Sequence, residues 1–229
     1  MKYDINHEFV SISSQSAKHR IILIHGWGAD ADDLLQLGRD IIEISKVDFE
    51  IISLRAPGVH PNNTGRQWYG LYPPDWNEAE TQVNKLLISL KQLDTYEIPL
   101  KKTILLGFSQ GGAMAVDVGC QLDLGLIVSC SGYPHPDWKP EQKCPPVLIS
   151  HGSMDDVVPI SASKNIYQKI KGISRNFCEL NEFYGNHQID PNLIETKQAF
   201  HGKLRYWLNY CLLREMSEKV RLGEPNSEL

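Results

Sequence analysis

Apolar positions along this chain form two kinds of pattern, short continuous runs and longer segments with helical spacing. Continuous runs are typical of strands buried on both faces of a sheet, whereas apolar residues three or four positions apart indicate a helix with one buried face. Strands are predicted at residues 21–24, 49–54, 103–107, 124–131, 147–151 and 176–183. Helices are predicted to begin near residues 34, 79, 111 and 161, and a closing helix is predicted from residue 191, with apolar residues at 194, 200, 204, 208 and 212.

The predicted strands and helices alternate, which predicts an α/β fold with a mostly parallel central sheet and helices on both faces. Ligands bind such sheets beyond the carboxyl ends of the strands, so residues that directly follow a strand are candidates for chemistry. A chain of 229 residues is long enough to bury one substantial core. We therefore expect a single domain over residues 1–229, with a polar tail from about residue 217.

Charge and hydropathy narrow the partners that such a fold could have. The formal net charge is −5, and lysines and arginines are scattered, so nucleic acid is not an expected partner. No apolar run approaches the roughly 18–20 residues that span a bilayer, so integral membrane association is not expected either. Residues 1–20 are polar and carry acids early, and no secretory signal is expected there.

The cysteines are odd in number, widely spaced and without a C-x-x-C pair. This pattern predicts neither a zinc site nor a disulfide framework, and buried free thiols are the simplest interpretation. A reducing, cytoplasmic location is the default expectation for a chain of this kind. The cysteines are Cys120, Cys130, Cys144, Cys178 and Cys211.

Residues 107–111, with the sequence GFSQG, match the pattern G-x-S-x-G between a predicted strand and a predicted helix. At such a turn the serine adopts a strained backbone conformation, and its hydroxyl is exposed at the N-terminus of the helix. Glycines are needed on both sides because side chains there would collide across so tight a bend. The strand–turn–helix context makes Ser109 a candidate nucleophile. The alternative is a glycine-rich turn that only packs a helix on the sheet.

A serine hydroxyl needs a base to accept its proton and an acid to orient that base. Where this turn carries a nucleophile, the chain order is serine, acid, histidine. Residues 151–156, with the sequence HGSMDD, directly follow the strand residues 147–150, with the sequence VLIS, at a strand end where the acid belongs. Spacing alone does not separate Asp155 from Asp156.

Two histidines follow this acidic pair, His187 and His201. His187 lies in a predicted loop between the last strand and the closing helix. His201 falls inside a helical apolar pattern, where a packed or surface histidine is expected. His187 is therefore the favoured base. His135, in the sequence YPHP, is interpreted as a surface loop residue.

A serine nucleophile also requires N–H donors for the negative charge that develops on the substrate oxygen. One donor is expected to be the backbone N–H of Gln110, directly after the serine. The second is expected in the loop after the first predicted strand, where Gly26 would let the N–H of Trp27 point at the site. His25 in the same loop is interpreted as a structural hydrogen-bonding residue.

The loop over residues 59–77 is rich in proline, glycine and aromatic residues, and it is too long to be a mere connector. Its segment QWYGLY, residues 67–72, is expected to reach the same edge of the sheet. Trp68 and Tyr69 are candidate substrate-binding residues that would form a wall for an acyl chain. Core packing is an equally good account of both side chains.

Four sequence blocks together resemble the phospholipase/carboxylesterase family of α/β-hydrolases, which includes the acyl-protein thioesterases. They are HGWGAD at 25–30, GFSQGGAM at 107–114, HGSMDDVVP at 151–159 and GNH at 185–187. The resemblance implies the α/β-hydrolase fold, and it implies that Asp155, rather than Asp156, is the catalytic acid. The chain departs from the family pattern at Ala29, an extra residue before Asp30, and at Asp156, where the family often has proline.

The residues and the resemblance together predict a serine carboxylesterase that acts through Ser109, His187 and Asp155 and an acyl-enzyme. Esters of small to medium acyl chains are the expected substrates, because no segment is long enough for a large lid. The alternatives are a thioesterase or lysophospholipase for long acyl chains and a non-catalytic protein that binds a ligand or partner. No metal and no organic cofactor is expected, and a homodimer through the aromatic loop is compatible with the sequence.

Overall fold

The computed structural model of this chain describes residues 2–5, 8–13, 16–45, 48–93, 97–174 and 177–193. These residues form ten strands, β1 (Lys2–Ile5), β2 (Phe9–Ser13), β3 (His19–Ile24), β4 (Phe49–Leu54), β5 (Gly58–Val59), β6 (Arg66–Gln67), β7 (Thr103–Phe108), β8 (Leu126–Cys130), β9 (Val147–Gly152) and β10 (Cys178–Phe183). They also form the helices α1 (Leu35–Ser45), α2 (Trp76–Leu93), α3 (Gln110–Gly119) and α4 (Ser161–Ile173).

Eight of these strands form the central sheet, in the order β1-β2-β4-β3-β7-β8-β9-β10. β2 pairs antiparallel with β1 and with β4, and every neighbouring pair from β4 through β10 is parallel. α1 packs on β3 and β4, α3 on β7 and β8, and α4 on β9 and β10. The predicted α/β fold with a mostly parallel central sheet is thereby confirmed. β5 and β6 form a separate antiparallel hairpin.

All six strands predicted from apolar runs are present, with bounds that shift by at most two residues. Residue 176, where the last of them was predicted to begin, lies outside the described residues. β1 and β2 were not predicted. In β2 the residues Val10 and Ile12 are buried while their neighbours are only half-buried, so the segment has the alternating pattern of an antiparallel strand near a sheet edge rather than a continuous apolar run.

The chain divides into two units, Met1–Asp190 and Pro191–Leu229. Within the second unit the structure describes one 3₁₀ turn, Pro191–Leu193. The remainder of the predicted closing helix, including His201, and the polar tail from about residue 217 lie outside the described residues. The expectation of a single domain over the whole chain stays a prediction.

The core of the first unit is built around the central strands β3 and β7. The apolar residues of β3 from Ile21 to Ile24 are fully buried, as are Leu105 and Leu106 of β7. Burial of such a side chain contributes about 1.5–3 kcal/mol relative to leaving it exposed. α3 is almost wholly buried and consists mainly of small residues, so its backbone can lie close to the carboxyl ends of β7 and β8.

The four described cysteines are buried free thiols. Burial raises the pKa of Cys130 and of Cys178 to about 12, so both remain protonated at neutral pH. Cys211 lies outside the described residues. Within the part of the chain that the structure describes, no helix has the length and apolar character to cross a membrane.

Candidate active site

Ser109 occupies a strained turn between β7 and α3. Its φ is 54° and its ψ is −117°, a region that non-glycine residues adopt at a cost of about 1–3 kcal/mol. The Ser109 N–H donates a hydrogen bond of 2.8 Å to the carbonyl of Cys130 at the end of β8. α3 begins at the next residue, Gln110, so the hydroxyl lies at the N-terminus of a helix, as the sequence pattern predicted.

Two glycines make this turn possible because the backbone approaches itself too closely for a side chain. A Cβ atom added to Gly107 would lie 2.0 Å from the carbonyl oxygen of Gly111. A Cβ atom added to Gly111 would lie 2.0 Å from the carbonyl oxygen of Ile24 in β3. Both separations are far inside van der Waals contact with backbone atoms that cannot move aside. The requirement for glycine at both positions therefore follows from the geometry.

His187 lies in the loop after β10, and its Nε2 atom is 2.9 Å from the Oγ atom of Ser109. Its Nδ1 atom is 2.7 Å from the Oδ2 atom of Asp155. The carboxylate can only accept, so Nδ1 carries a proton and Nε2 is left to accept the serine proton. The ring of Phe108 lies 5.0 Å from the imidazole, centroid to centroid. Ser109, His187 and Asp155, which follow β7, β10 and β9, therefore form one hydrogen-bonded line.

The Asp155 carboxylate is fully buried and held from two directions. Its Oδ1 atom accepts backbone N–H bonds from Val157 at 3.0 Å and from Val158 at 2.8 Å. Burial by itself would raise the pKa of Asp155, but the hydrogen bonds from His187 and from the two amides outweigh it and hold the pKa below its ordinary value. Asp155 is therefore a carboxylate at neutral pH.

The two acids that spacing left as alternatives differ in their surroundings. Asp155 meets His187, whereas the Asp156 side chain is exposed and makes none of the contacts described for His187. His25 is fully buried. Its Nδ1 atom donates to the carbonyl of Gly26 at 2.7 Å, and its Nε2 atom accepts the N–H of Ala56 at 3.1 Å. These contacts support its interpretation as a structural hydrogen-bonding residue.

The loop that carries Trp27 lies directly against the serine turn. A Cβ atom on Gly26 would be 3.4 Å from the Cβ atom of Ser109. Neither the N–H of Trp27 nor that of Gln110 has a hydrogen-bond partner among the described residues. Two amides adjacent to the hydroxyl are thus free to donate, and their role toward a substrate oxygen stays a prediction.

The β5–β6 hairpin holds this loop in place. The N–H of Gly28 donates to the carbonyl of Arg66 at 2.8 Å, and the N–H of Arg66 donates to the carbonyl of Ala29 at 2.7 Å. Gly65, at a φ of +73°, approaches so closely that a Cβ atom there would lie 1.9 Å from the carbonyl oxygen of Gly28. The hairpin was not predicted from the sequence, because each of its strands has only two residues.

The Trp27 side chain is fixed by neighbours on three sides. Its indole N–H donates to Oε1 of Gln67 at 2.8 Å. The ring of His60 packs edge-on against it with 4.0 Å between centroids, and the exposed ring of Tyr72 lies 5.4 Å away. An indole held in this way is a rigid, half-buried aromatic surface on the loop that meets the serine turn at Gly26.

Trp68 and Tyr69, the predicted substrate-binding residues, are both buried in the core. The Trp68 indole donates to the carbonyl of His25 at 3.0 Å. The Gln110 side chain holds the same segment, since its Oε1 accepts the N–H of Trp68 and its Nε2 donates to the carbonyl of Tyr69. These contacts favour core packing for both residues, and substrate binding by either stays a prediction.

A second hydrogen-bonded line, which the sequence did not predict, runs from Asp117 to Tyr133. His135 Nδ1 is 2.8 Å from Oδ2 of Asp117, and His135 Nε2 is 2.8 Å from the Tyr69 hydroxyl. The Tyr69 hydroxyl lies 2.7 Å from that of Tyr133. The interpretation of His135 as a surface loop residue was wrong, because this residue is only 7% exposed. Its partners are 18 and 66 residues away along the chain, and no local signal connects them.

His151 is a further histidine at the site that sequence reasoning did not single out. It is fully buried at the end of β9, and its Nε2 atom lies 3.3 Å from Oδ2 of Asp155. Burial lowers its pKa. The only sequence signal was its place in the HGSMD block. Among the described residues, no group of three or more His, Cys, Asp or Glu side chains is arranged to hold a metal ion.

A separate cleft of about 1210 Å³ lies between α2 and the strands β2 and β4. Trp68 and the partly exposed apolar residues Ile52 and Leu54 contribute to its lining. Ser109, Asp155 and His187 do not. The cleft is therefore distinct from the line of residues that ends at Ser109.

Comparison with known sequences identifies related proteins along most of this chain. The family model described as Phospholipase/Carboxylesterase matches residues 5–204. Acyl-protein thioesterase 1 of Eremothecium gossypii is 24% identical, over 83% of this chain and 90% of that protein. Acyl-protein thioesterase 1 of Saccharomyces cerevisiae is 27% identical, over 85% of this chain and 96% of that protein.

Solved structures with the same fold include two esterases. The crystal structure of esterase PE8 superposes with a TM-score of 0.75 at 29% identity, and it covers 88% of this chain and 97% of that chain. The carboxylesterase of Bacillus cereus superposes with a TM-score of 0.74 at 17% identity, over 90% of this chain and 95% of that chain. At that identity the second likeness shows a shared fold alone.

Proposed function

The chain belongs to the phospholipase/carboxylesterase family of α/β-hydrolases, and we propose that it hydrolyses carboxylic esters with Ser109 as nucleophile, His187 as base and Asp155 as acid. The observation that carries this proposal is the hydrogen-bonded line from Asp155 through His187 to Ser109, with distances of 2.7 and 2.9 Å. Its orientation supports the roles, because Nε2 of His187 is the atom left free to accept a proton.

In the acylation step, Oγ of Ser109 attacks the ester carbonyl carbon while its proton passes to Nε2 of His187. The resulting imidazolium lies 2.7 Å from the Asp155 carboxylate, which stabilises the positive charge. The tetrahedral intermediate then collapses, the bond to the leaving oxygen breaks, and that oxygen takes the proton from His187 as the alcohol departs.

In the deacylation step, water attacks the acyl-serine carbonyl and gives its proton to His187. Collapse of the second tetrahedral intermediate releases the carboxylic acid, and the proton returns to Oγ of Ser109. In both steps negative charge develops on the former carbonyl oxygen. We assign the N–H groups of Trp27 and Gln110 to that oxygen, and loss of one such donor typically costs about 3 kcal/mol.

We propose esters of small to medium acyl chains as the substrates. The support for this choice is that the described residues include no insertion long enough to form a large lid over a long acyl group. The half-buried Trp27 indole, held by Gln67 and His60, is a rigid surface on the loop that meets the serine turn, and we propose that it limits the space for an acyl group.

A thioesterase for long acyl chains is a second candidate with equal support. Two relatives that match more than four fifths of this chain carry the name acyl-protein thioesterase 1. The proposed chemistry is the same for a thioester, since a thiol replaces the alcohol as the leaving group. The two candidates therefore differ in the substrate and not in the roles of Ser109, His187 and Asp155.

The test is a series of initial hydrolysis rates on p-nitrophenyl esters from acetyl to palmitoyl, with the matched thioesters in parallel. Ser109→Ala is the control variant, and it should lose roughly 10³-fold or more in kcat/KM. An optimum at short or medium chains on oxygen esters would support the carboxylesterase. An optimum at long chains on thioesters would support the second candidate.

Equal inertness of the wild type and Ser109→Ala on every ester and thioester would contradict hydrolysis. Labelling with a fluorophosphonate gives an independent readout, because only an activated serine reacts quickly. Wild type should be labelled and Ser109→Ala should not. A labelled protein without turnover would point to an untested substrate, whereas an unlabelled, folded protein would favour a non-catalytic binding protein.

A further inference from the structure

His151 is a buried histidine beside the Asp155 carboxylate for which the proposed reaction has no role. It is the fifth residue of β9, and its side chain has no exposed surface. Its Nε2 atom lies 3.3 Å from Oδ2 of Asp155, the same oxygen that His187 contacts at 2.7 Å. The carboxylate thus lies between two imidazoles, one buried and one facing Ser109.

The hydrogen bonds of His151 define its protonation. Nε2 is 2.8 Å from the carbonyl oxygen of Val158, and a carbonyl can only accept, so Nε2 carries a proton. Nδ1 is 2.6 Å from Oγ of Ser163 in the first turn of α4. Burial lowers the pKa of His151 and favours the neutral ring. In that ring Nδ1 accepts a hydrogen bond from the Ser163 hydroxyl.

These bonds converge on the turn that orients Asp155. Val158 is held at both of its backbone polar groups, since its N–H donates to Oδ1 of Asp155 at 2.8 Å and its carbonyl accepts from His151. Val157 contributes a second N–H to the same carboxylate oxygen at 3.0 Å. Through Ser163, His151 also ties this turn to α4. The position of the carboxylate therefore depends on a side chain that touches neither Ser109 nor His187 in the described contacts.

We propose that His151 is a positioning residue, which acts through Val158 to hold the Asp155 carboxylate against His187. The inference rests on the proposed function, because it assigns a role within that reaction. Loss of the His151 N–H would release the Val158 carbonyl and let the turn that presents Asp155 loosen. The carboxylate would then stabilise the His187 imidazolium less well, and kcat would fall while KM changed little.

The same loosening has a signature in the pH profile. A carboxylate that pairs less closely stabilises the positive charge of the reacting imidazole less, so the acid limb of kcat/KM would move to lower pH. Other charged groups near the line are the same in every variant. On the elements around His187 these groups are Asp156, Lys164, Glu182 and Asp190. Lys164 and Glu182 form an ion pair at 3.2 Å. Asp190 accepts a hydrogen bond from Asn181 at 2.9 Å.

Two substitutions divide the contacts of His151 between them. The amide nitrogen of glutamine can occupy the position of Nε2, so His151→Gln keeps a donor for the Val158 carbonyl and loses the Ser163 contact. The shorter asparagine side chain reaches only the position of Nδ1, so His151→Asn keeps a partner for Ser163 and loses the donor to Val158. Hydrolysis rates are measured on the p-nitrophenyl ester that the wild type hydrolyses fastest. Each rate is divided by the concentration of serine that reacts with the fluorophosphonate, so that equal amounts of folded enzyme are compared.

We expect His151→Asn to lower kcat about tenfold or more, as for loss of one buried hydrogen bond, with its acid limb at lower pH than that of the wild type. His151→Gln should remain within about threefold of the wild type, with an unshifted acid limb. A purely structural role would lower the thermal midpoint of both variants and leave the acid limb of both in place.

Equal kcat values for His151→Asn and His151→Gln, or a greater loss in His151→Gln, would overturn the proposal. An active wild type with an unaffected His151→Asn would likewise overturn it and leave the proposed function intact. A wild type no more active than Ser109→Ala would instead reject the proposed function itself. The three failures are therefore distinguishable within one set of measurements.

Discussion

Among the described residues, two lines of Asp, His and hydroxyl groups share nearly the same hydrogen-bond geometry, with Nδ1 of the histidine toward the carboxylate. In one, His187 lies 2.7 Å from Asp155 and 2.9 Å from the Ser109 hydroxyl. In the other, His135 lies 2.8 Å from Asp117 and 2.8 Å from the Tyr69 hydroxyl. Each histidine uses Nδ1 for the carboxylate and Nε2 for the hydroxyl. Distances alone therefore do not distinguish a proposed nucleophile from a structural network.

The surroundings of the two hydroxyls differ. Ser109 lies on a strained turn at a helix N-terminus and is half-buried, and the N–H groups of Gln110 and Trp27 have no hydrogen-bond partner among the described residues. Tyr69 is 1% exposed, and its burial raises its pKa far above the ordinary value. The Tyr69 hydroxyl is also hydrogen-bonded to the hydroxyl of Tyr133 at 2.7 Å. The two lines therefore differ in the exposure of the hydroxyl and in the N–H groups near it, rather than in the histidine and its acid.

The largest effect is expected from one substitution applied to both lines, histidine to asparagine. His187→Asn should lower kcat/KM roughly 10³-fold or more, because no base then accepts the Ser109 proton. His135→Asn should keep activity within a few-fold, and it should lower the free energy of unfolding by about 1–3 kcal/mol. Ester kinetics and urea denaturation measure the two quantities. A large loss of turnover in folded His135→Asn would show that the second line takes part in catalysis.

The glycine turn, which only the Ser109 line has, provides the second test. Gly111→Ala forces a Cβ atom to within 2.0 Å of the Ile24 carbonyl oxygen, and it should cost roughly 4 kcal/mol or more, or prevent folding. Gly172→Ala is the matched control, since nothing lies within 4 Å of a Cβ atom there. Gly172→Ala in α4 should leave the free energy of unfolding unchanged or raise it by up to about 1 kcal/mol. Comparable midpoints of thermal unfolding for the two variants would contradict the close approach.

Removal of the Tyr69 hydroxyl tests the second line directly. Tyr69→Phe leaves the buried Nε2 of His135 and the hydroxyl of Tyr133 without their partner, and it should lower the free energy of unfolding by about 1–3 kcal/mol. Ester turnover should stay close to that of the wild type. The denaturation midpoint and kcat/KM are measured on the same preparation. An unchanged free energy of unfolding in Tyr69→Phe would mean that the hydrogen bonds of the Tyr69 hydroxyl make no net contribution to stability.

The smallest effect concerns alkaline pH. The pKa of Tyr69 is raised by burial and that of Tyr133 is raised to about 12, against an ordinary value of 10.0. Above about pH 10 the unfolded chain loses these protons while the folded chain keeps them, so stability falls by up to about 1.4 kcal/mol per pH unit for each group. Tyr69→Phe removes one of the two groups and should show a shallower decline. The free energy of unfolding is measured by denaturation of the wild type and of Tyr69→Phe over about two pH units, from about pH 9 to about pH 11. The same decline of this free energy with pH in both proteins would refute the contribution of Tyr69.

Much of the fold could be predicted because its strands and helices leave local patterns. Strands such as β3 and β7 are continuous apolar runs, and Ser109 lies in a motif whose flanking strand and helix are adjacent in sequence. His187 followed from chain order and from its place between elements. The choice of Asp155 over Asp156 needed family resemblance, because both acids lie just after the same strand and the distance from the strand end does not distinguish them.

The contacts that sequence did not predict join distant parts of the chain. His135 meets Asp117 and Tyr69, and His151 meets Ser163, through side-chain orientations that no periodicity encodes. β2 was missed for a different reason, because an antiparallel strand beside the sheet edge alternates between buried and half-buried residues. Sequence patterns thus located six strands of the central sheet and the three side chains that meet at Ser109, but not the hydrogen bonds around them.

The position of β10 at the end of the sheet has a consequence for how the protein loses activity on heating. Ser109 follows β7, which is paired on both sides, whereas His187 follows β10, which pairs with β9 alone among the described strands. Terminal strands open locally at lower free energy than central ones. Amide hydrogens of β10 should therefore exchange with solvent sooner than those of β7, and turnover should disappear at a lower temperature than the one at which the sheet as a whole melts.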